Sequence, residues 1–302
     1  MKNRSTGRPA ARAGLRAPVH AHEAAAPAPP RASSVDFEEL CEIVRRASGI
    51  KIDASKETLV HARLRQRLNE TGARNVSGYL QMLRADATGR ETAILLDLIS
   101  TNVTSFFREQ HHFDHLAKVA LPAHQASGSP DPMRVWSAAC SSGEEPYSIA
   151  MTLADRLGED RLRRFLILAT DISTRMVARS ERASFASAAL VPVRRDWRET
   201  WFEADGAEDR RVVWKLRDRV RSRHLNLLDP WPMKRSFSAI FCRNVLIYFA
   251  QPTCQRLVQR FWDQLAPGGY LYIGHSESLS QLSHGFEYAG PTIYRRPLEV
   301  KA

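Results

Sequence analysis

The sequence predicts an α/β protein in which an all-helical module precedes a mainly parallel sheet covered by helices on both faces. No strand-like alternation of apolar and polar residues occurs before about residue 133. Beyond that point, short runs rich in β-branched and aromatic residues alternate with helical patterns, as in βαβ units. A length of 302 residues, 43% of them hydrophobic, is sufficient for two domains and a tail.

The first 34 residues are predicted to be a disordered tail. They are rich in alanine and proline, and their six basic residues face the single acid Glu23. Such a composition does not bury enough apolar surface to fold. The chain as a whole has a formal net charge of +11. This charge predicts an acidic partner but does not choose among nucleic acid, anionic lipid and protein.

Residues 35–100 are predicted to form the helical module. The apolar positions of its first helix recur at i, i+3, i+4 and i+7, the stripe of a helix with one buried face: Phe37, Leu40, Cys41 and Val44. A second stripe ends at Gly72, and Asn75 or Ser77 is positioned to cap a third helix. Arg90 to Ile99 is the fourth. The module should therefore have its own core.

Residues 101–132 are predicted to be a linker and a connecting helix, and residues 133–302 the α/β domain. The predicted strands are RVWSAA, FLILATDI, SFSAIFCRN and GYLYIG, with helices at Glu145–Leu157 and Thr253–Leu265. Tyr288 to Arg295 is expected to add an antiparallel edge strand. A small β-rich insertion is predicted at about 190–225, where Trp, Arg and Val outnumber helix signals.

The loop after the first predicted strand carries two adjacent acids, Glu144 and Glu145, at the start of a helix. In nucleotide-binding folds this helix terminus holds a phosphate, because its free N–H groups and dipole favour an anion. Two acids would repel a pyrophosphate and attract a cation, and the fingerprint G-x-G-x-x-G is absent. S-adenosylmethionine, a nucleoside with an ammonium and a sulfonium group, fits this loop better than NAD or ATP.

Small residues precede the loop, so a ligand can approach the backbone closely at Ala139. The alternative for Glu145 is a capping box with Ser142, but a cap requires only one acid and ligand binding is favoured. Asp171 ends the second predicted strand, where a carboxylate can accept both hydroxyls of a ribose. The alternative is an N-cap for the following helix. Ser173 would cap that helix equally well, so the ribose role is favoured.

Two further sets of polar side chains should face the ligand crevice. One surrounds Phe106 and Phe107 at the junction of the predicted domains, where a cleft is expected: Asn102, Thr104 and Arg108. Alone this signal is weak, since the segment also reads as a linker with two buried rings. The other follows the third predicted strand, and strand ends of an open α/β sheet face the ligand: Arg243, Asn244 and Tyr248.

Six motifs in this order resemble the bacterial chemotaxis receptor methyltransferases, the CheR family: TNVTSFFREQHHF, RVWSAACSSGEEPYSIAMTLAD, ATDIS, HLNLLD, FCRNVLIYF and GGYLYIGHSESL. The resemblance implies a Rossmann-like class I S-adenosylmethionine-dependent methyltransferase domain behind the helical domain. It implies methyl transfer to the γ-carboxylates of glutamates on the cytoplasmic helices of chemoreceptors, with methyl esters and S-adenosylhomocysteine as products. The cofactor contacts that it implies are Asn102, Thr104, Arg108, Glu144 or Glu145, Asp171, Asn226, Leu227, Arg243 and Asn244. Glu145 is preferred for the cofactor's amino group, but the sequence does not separate the two acids.

Esterification of a carboxylate agrees with the absence of an evident general base. A glutamate with a pKa of about 4.3 is ionised at neutral pH, so the nucleophile needs no deprotonation. Alignment and desolvation then supply the catalysis. We expect Tyr248 to orient the acceptor and Arg108 to attract its carboxylate while also touching the cofactor.

Arg63 and Arg67, four residues apart on one predicted helix, are candidates for docking an acidic substrate by electrostatic steering. The alternative is a solvated charged face, and the two weigh about equally. His111, His112 and His115 have no carboxylate or cysteine to complete a ligand set, so no metal is expected.

The expected location is the cytoplasm, with recruitment to membrane receptor arrays, because no signal peptide or apolar run of about 18 residues is present. We expect a monomer that binds neither nucleic acid nor the membrane interior. Two alternatives remain. One is methylation of another acidic signalling protein or of RNA, although no aromatic-interleaved RNA module is evident. The other is a non-catalytic adaptor that senses the cofactor.

Overall fold

Four helices form the first part of the described chain, which comprises residues 34–298 of a computed structural model. They are α1 (Ser34–Ser48), α2 (Glu57–Thr71), α3 (Val76–Ala85) and α4 (Arg90–Ile99). Asn75 caps α3 by accepting a hydrogen bond from the backbone N–H of Gly78 at 2.9 Å, and Gly72 ends α2 in the left-handed conformation. The predicted stripes pack together in one apolar core. The predicted disordered tail, through residue 33, lies outside the described residues.

A connecting helix leads to the sheet. It consists of α5 (His111–His115), one π-helical turn (Leu116–Ala120) and α6 (Leu121–Ala126). Leu116 and Leu121 are buried against the same apolar cluster as the first strand. This helix therefore belongs to the covering of the sheet.

Ten strands and five further helices follow. The strands are β1 (Met133–Ala138), β2 (Phe165–Asp171), β3 (Ser184–Ala186), β4 (Phe202–Asp205), β5 (Asp209–Val212), β6 (Val220–His224), β7 (Phe237–Cys242), β8 (Leu265–Ile273), β9 (Glu287–Gly290) and β10 (Ile293–Arg295). The helices are α7 (Glu144–Leu157), α8 (Thr174–Arg182), α9 (Arg195–Trp201), α10 (Trp214–Arg217) and α11 (Gln251–Gln264).

Seven of the strands form one sheet in the order β6-β2-β1-β7-β8-β10-β9. The first five are parallel, and β10 and β9 add an antiparallel edge hairpin where the sequence predicted a single edge strand. Val135 of β1 packs into the cluster that contains α7, while Trp136 packs into the cluster that contains α11. Both faces of the sheet are covered, which confirms the predicted fold class.

The small β-rich insertion differs from its predicted extent of about 190–225. Strands β3, β5 and β4 form a separate antiparallel sheet, so the insertion begins at Ser184. Val220–His224 lies outside it and pairs in parallel with β2 as the edge strand of the main sheet. The strand was missed because only Val220 and Ser222 are buried, while Arg221 and Arg223 are exposed. Within residues 34–298, no helix is long and apolar enough to cross a bilayer.

Candidate active site

A cavity of about 350 Å³ lies where the helical module, the linker and the carboxyl ends of β1, β2 and β7 meet. Its volume is within the range of small-molecule sites. Of the predicted cofactor and catalytic residues, all but Glu144 line it: Asn102, Thr104, Arg108, Ala139, Glu145, Asp171, Asn226, Leu227, Arg243, Asn244 and Tyr248. Residues that are up to 146 positions apart in the sequence (102 to 248) thus share one site.

The loop after β1 turns sharply over the end of β2. Ala139 and Ser141 have φ values of 72° and 50°, and Gly143 has φ 110°. A Cβ on Gly143 would lie 3.0 Å from the Cα of Ser180, so this position requires glycine. Gly143 is the N-cap of α7 and provides no side-chain hydrogen bond. The capping-box alternative is therefore wrong, since Ser142 donates to the Glu144 carboxylate instead, at 2.7 Å.

The two acids of this loop have different environments. Glu145 is buried and accepts hydrogen bonds from Ser137 Oγ at 2.7 Å and from Arg243 Nη1 at 3.0 Å. Burial raises the pKa of Glu145, and the charge of Arg243 opposes that rise. Glu144 is half-buried and does not line the cavity. Glu145 is thus the acid that the fold presents to a ligand.

Arg243 lies between two carboxylates. Its second partner is Glu109, whose Oε2 lies 3.3 Å from Arg243 Nη2. Glu109 also accepts hydrogen bonds from the backbone N–H and Nδ1 of His275, at 3.2 and 3.0 Å. Burial alone would raise the pKa of Glu109, but Arg243 and His275 outweigh it and the pKa is lowered. Glu109 was not predicted as a site residue, because its φ of 58° and its contact across the domain are not visible in the motif.

Asp171 is buried at the end of β2. Its two carboxylate oxygens accept from the backbone N–H groups of Ser141, at 2.8 Å, and Ser173, at 2.9 Å. Burial raises the pKa of Asp171, and these two bonds oppose the rise. The helix cap is Ser173, which accepts from Met176 N at 3.1 Å. Each Asp171 oxygen therefore retains lone pairs for a ligand hydroxyl.

Two asparagines that line the cavity differ in their availability. Asn102 Nδ2 is buried and has no hydrogen-bond partner within residues 34–298. A buried donor without a partner is rare in folded proteins, and Asn102 also lines the cavity. The Asn226 side chain is engaged, since it donates to Ala47 O at 2.8 Å and accepts from Leu228 N at 3.0 Å. Asn226 thus joins the sheet domain to the end of α1.

The turn after β7 is held by Glu277, which was not predicted as a functional residue. Its buried carboxylate accepts from the backbone N–H groups of Asn244 at 3.0 Å, Val245 at 2.7 Å and Gly274 at 2.5 Å. Asn244 has φ 58°, and a Cβ on Gly274 would lie 2.4 Å from its Nδ2. This arrangement fixes the turn on which Tyr248 lies.

The arginine pair predicted to dock a substrate makes internal contacts. Arg63 Nη1 donates to the carbonyl of Ile99 at 2.7 Å and lines the cavity. Arg67 forms ion pairs with Glu91 at 2.5 Å and Glu70 at 3.0 Å. A guanidinium that two carboxylates neutralise exerts little steering field. Docking of a substrate by Arg63 and Arg67 stays a prediction.

The three histidines near the site contact protein groups. His112 Nε2 lies 2.8 Å from Thr292 Oγ1, and His115 Nδ1 lies 2.9 Å from the hydroxyl of Tyr272. His111 Nε2 lies 3.2 Å from the carbonyl of Pro291. Among residues 34–298, no cluster of three potential metal ligands is present. Their rings thus brace the connecting helix against the sheet.

The fold and this site together define a Rossmann-like S-adenosylmethionine-dependent methyltransferase, because the buried acid Glu145 stands where a phosphate would otherwise bind and Asp171 ends the next strand. Residues 102–295 match the family model described as CheR methyltransferase, SAM binding domain, and residues 35–100 match CheR methyltransferase, all-alpha domain. The chain belongs to the CheR methyltransferase family, and its cofactor is S-adenosylmethionine. The resemblance, the enzyme class and the cofactor predicted from the sequence are confirmed.

Relatives cover most of the chain. It is 39% identical over 254 residues to the probable chemotaxis protein methyltransferase of Rhizobium etli. The alignment covers 82% of this chain and 94% of that protein. It is 38% identical over 268 residues to the chemotaxis protein methyltransferase of Klebsiella aerogenes, and the alignment covers 87% of this chain and 89% of that protein. The Escherichia coli chemotaxis protein methyltransferase is 37% identical over 266 residues, with 87% and 91% covered.

Proposed function

We propose that the chain methylates the γ-carboxylates of glutamates on the cytoplasmic helices of chemoreceptors, forming methyl esters and S-adenosylhomocysteine. The observation that carries this proposal is that one cavity joins the buried acids Glu145 and Asp171 to Arg108 and Tyr248. The names of the relatives, chemotaxis protein methyltransferases, support the same substrate class.

The acids and the unpaired amide would hold the donor. S-adenosylmethionine supplies a methyl group on a positively charged sulfur. Glu145 fits the amino group, Asp171 the ribose hydroxyls, and Asn102 Nδ2 an acceptor atom of the ligand. Ala139, which has φ 72°, lines the same cavity. Thr104 and Asn244 complete the proposed binding set, together with the backbone of Asn226 and Leu227 and the ion pair of Arg243.

The acceptor would lie toward Arg108 and Tyr248. A glutamate carboxylate is already ionised at neutral pH, so the site has no proton to remove. Arg108 attracts that carboxylate, and the Tyr248 hydroxyl donates a hydrogen bond that orients one of its oxygens. Holding the oxygen in line with the transferred methyl group lowers the barrier by proximity, and closing the site to water strengthens these interactions.

The rest of the proposal concerns organisation. We infer that residues 35–100 and 133–302 act as two domains joined by the linker 101–132, with the tail 1–34 preceding them. The protein would act in the cytoplasm as a monomer recruited to membrane receptor arrays. It would bind no nucleic acid.

The test is methyl transfer from labelled S-adenosylmethionine to membranes that carry the receptors of the same organism, with total RNA in a parallel reaction. Methyl esters release methanol in mild alkali, whereas N-methyl groups and ribose methyl ethers do not. We expect alkali-labile label that maps to glutamate-containing receptor peptides. Alkali-stable label, or label found in the RNA, would contradict the proposal.

A further inference from the structure

Three exposed aliphatic residues line the cavity, and we call them the apolar rim: Leu59, Val103 and Ile247. We propose that this rim docks an acidic, amphipathic helix, so that apolar side chains one turn from the acceptor glutamate pack on it. The inference rests on the proposed function and names the class of segment that enters the site. It also makes the rim a determinant of which glutamates are modified.

The rim is assembled from three separate parts of the chain. Leu59 lies on α2, Val103 on the linker and Ile247 on the turn after β7, and all three line the cavity. Their exposed fractions are 47%, 76% and 51%. Single exposed apolar residues are ordinary, but several that line one cavity mark an interaction site.

The charge in the same cavity selects the occupant. Lys51 and Lys56 line the cavity and are exposed, and within residues 34–298 neither ammonium group has an ion-pair partner. Lys56 Nζ lies 5.5 Å from the centroid of the Tyr248 ring, which places positive charge beside the proposed acceptor position. The two acids that line the cavity, Glu145 and Asp171, are buried and hydrogen-bonded. Asp53 interacts with both lysines but does not line the cavity. The lining therefore has more basic than acidic side chains and is complementary to a segment rich in carboxylates.

The combination of apolar and basic groups fits a helix better than RNA. On a helix, residues three and four positions from the acceptor lie on the same face, so they reach the rim when the acceptor enters the cavity. Single-stranded nucleic acid is bound chiefly through stacking on aromatic rings, and the rim is entirely aliphatic. The segment that fits has acidic residues around the acceptor and apolar residues one turn away.

The experiment compares Val103→Ser and Ile247→Ser with Met82→Ser and Val119→Ser, which also change exposed apolar residues but lie outside the cavity. The substrate is a purified receptor fragment whose methylated glutamate has been mapped. We expect each rim variant to raise KM about fivefold or more, on the scale of a truncated interface residue, with kcat and the affinity for S-adenosylhomocysteine unchanged. The two control variants should stay within about twofold of the wild type.

A second set of fragments tests the contact directly. Serine replaces the apolar residues one turn on either side of the acceptor. These changes should raise KM for the wild-type enzyme but have little further effect with Val103→Ser, because contacting residues are not additive. If the effects of the fragment changes and of Val103→Ser on KM were fully additive, the rim would not be a docking surface. An unchanged KM in both rim variants would lead to the same conclusion. A loss of S-adenosylhomocysteine affinity in the rim variants would assign these residues to the cofactor site instead. Failure of the wild type to form alkali-labile esters would instead refute the proposed function.

Discussion

Nη1 of Arg243 lies 3.0 Å from Oε2 of Glu145, and the two side chains are only 3% and 11% exposed. A buried carboxylate whose charge stayed unpaired would be costly, and the charge of Arg243 opposes the rise in the pKa of Glu145 that burial causes. Arg243 is in turn shared with Glu109. The three groups carry a net negative charge, which suits a cationic ligand.

The shared arginine gives the first prediction. In Glu109→Gln, Arg243 retains only one charged partner and neutralises Glu145 more fully, so the field that attracts an ammonium group weakens. We expect the affinity for S-adenosylhomocysteine to fall about tenfold, or ~1.4 kcal/mol. Calorimetric titration measures this, with Glu287→Gln, an exposed glutamate on β9, as the matched control. Equal affinity in the two variants would show that Glu109 has no such influence.

Removal of the Tyr248 hydroxyl should separate turnover from cofactor binding. If that hydroxyl orients the acceptor, Tyr248→Phe lowers kcat about tenfold, the scale of one lost hydrogen bond. The affinity for S-adenosylhomocysteine should stay the same. Tyr288→Phe, which alters an exposed tyrosine on β9, is the control. A Tyr248→Phe enzyme with full turnover would refute the assignment.

Glu277 should prove important for the stability of the site. Its carboxylate accepts from several backbone N–H groups, whereas a glutamine has one acceptor oxygen and turns an NH₂ group toward the other donors. We expect Glu277→Gln to cost about 2 kcal/mol of unfolding free energy. Urea unfolding and single-turnover methylation would report the loss together. If Glu277→Gln kept both the unfolding free energy and the single-turnover rate of the wild type, the turn would not depend on the Glu277 carboxylate.

His112 should make stability depend on pH. Burial, with a smaller contribution from the charge of Arg243, lowers the pKa of His112 to about 3. In the unfolded chain an imidazole has a pKa of about 6.5, so between these values the unfolded state binds more protons. The free energy of unfolding therefore falls as the pH drops through this range, by about 1.4 kcal/mol per unit for this group.

The comparison is between the wild type and His112→Gln, unfolded in urea at pH 6.5 and 5. The wild type should lose about 2 kcal/mol more than the variant over this interval, because glutamine does not titrate. Values at pH 7.5 give the intrinsic cost of the substitution. Parallel pH profiles for the two proteins would show that His112 is not the group responsible.

Much of the fold follows from local patterns in the sequence. The helical stripes, the cap at Asn75 and the strands β1, β2, β7 and β8 have periodicities that burial imposes directly. β6 was missed because an edge strand buries few residues, and its arginines conceal the alternation. Its place is fixed by pairing with β2, a long-range contact that no local pattern encodes.

The candidate site was predictable where a residue ends a strand, as Asp171 does, or directly follows one, as Arg243 does. Glu109 and Glu277 were not predictable from position, because their roles depend on reaching across the domain to other backbone and side-chain groups. Asn226 lies at the cavity as predicted, but its side chain is engaged by Ala47 of the helical module. Hydrogen-bond partners that lie in different domains are set by tertiary packing, so the sequence of either segment alone does not predict them.

The most direct measurement is the affinity for S-adenosylhomocysteine of Glu145→Gln and Glu144→Gln, two variants that remove the same charge from adjacent positions. Glu145 faces the cavity and Glu144 does not. We predict that Glu145→Gln weakens binding tenfold to a hundredfold, or roughly 1.5–3 kcal/mol for a lost charged hydrogen bond. Glu144→Gln should remain within about twofold of the wild type. Equal losses in the two variants, or a loss only in Glu144→Gln, would contradict the assignment of this cavity and of Glu145 to the methyl donor.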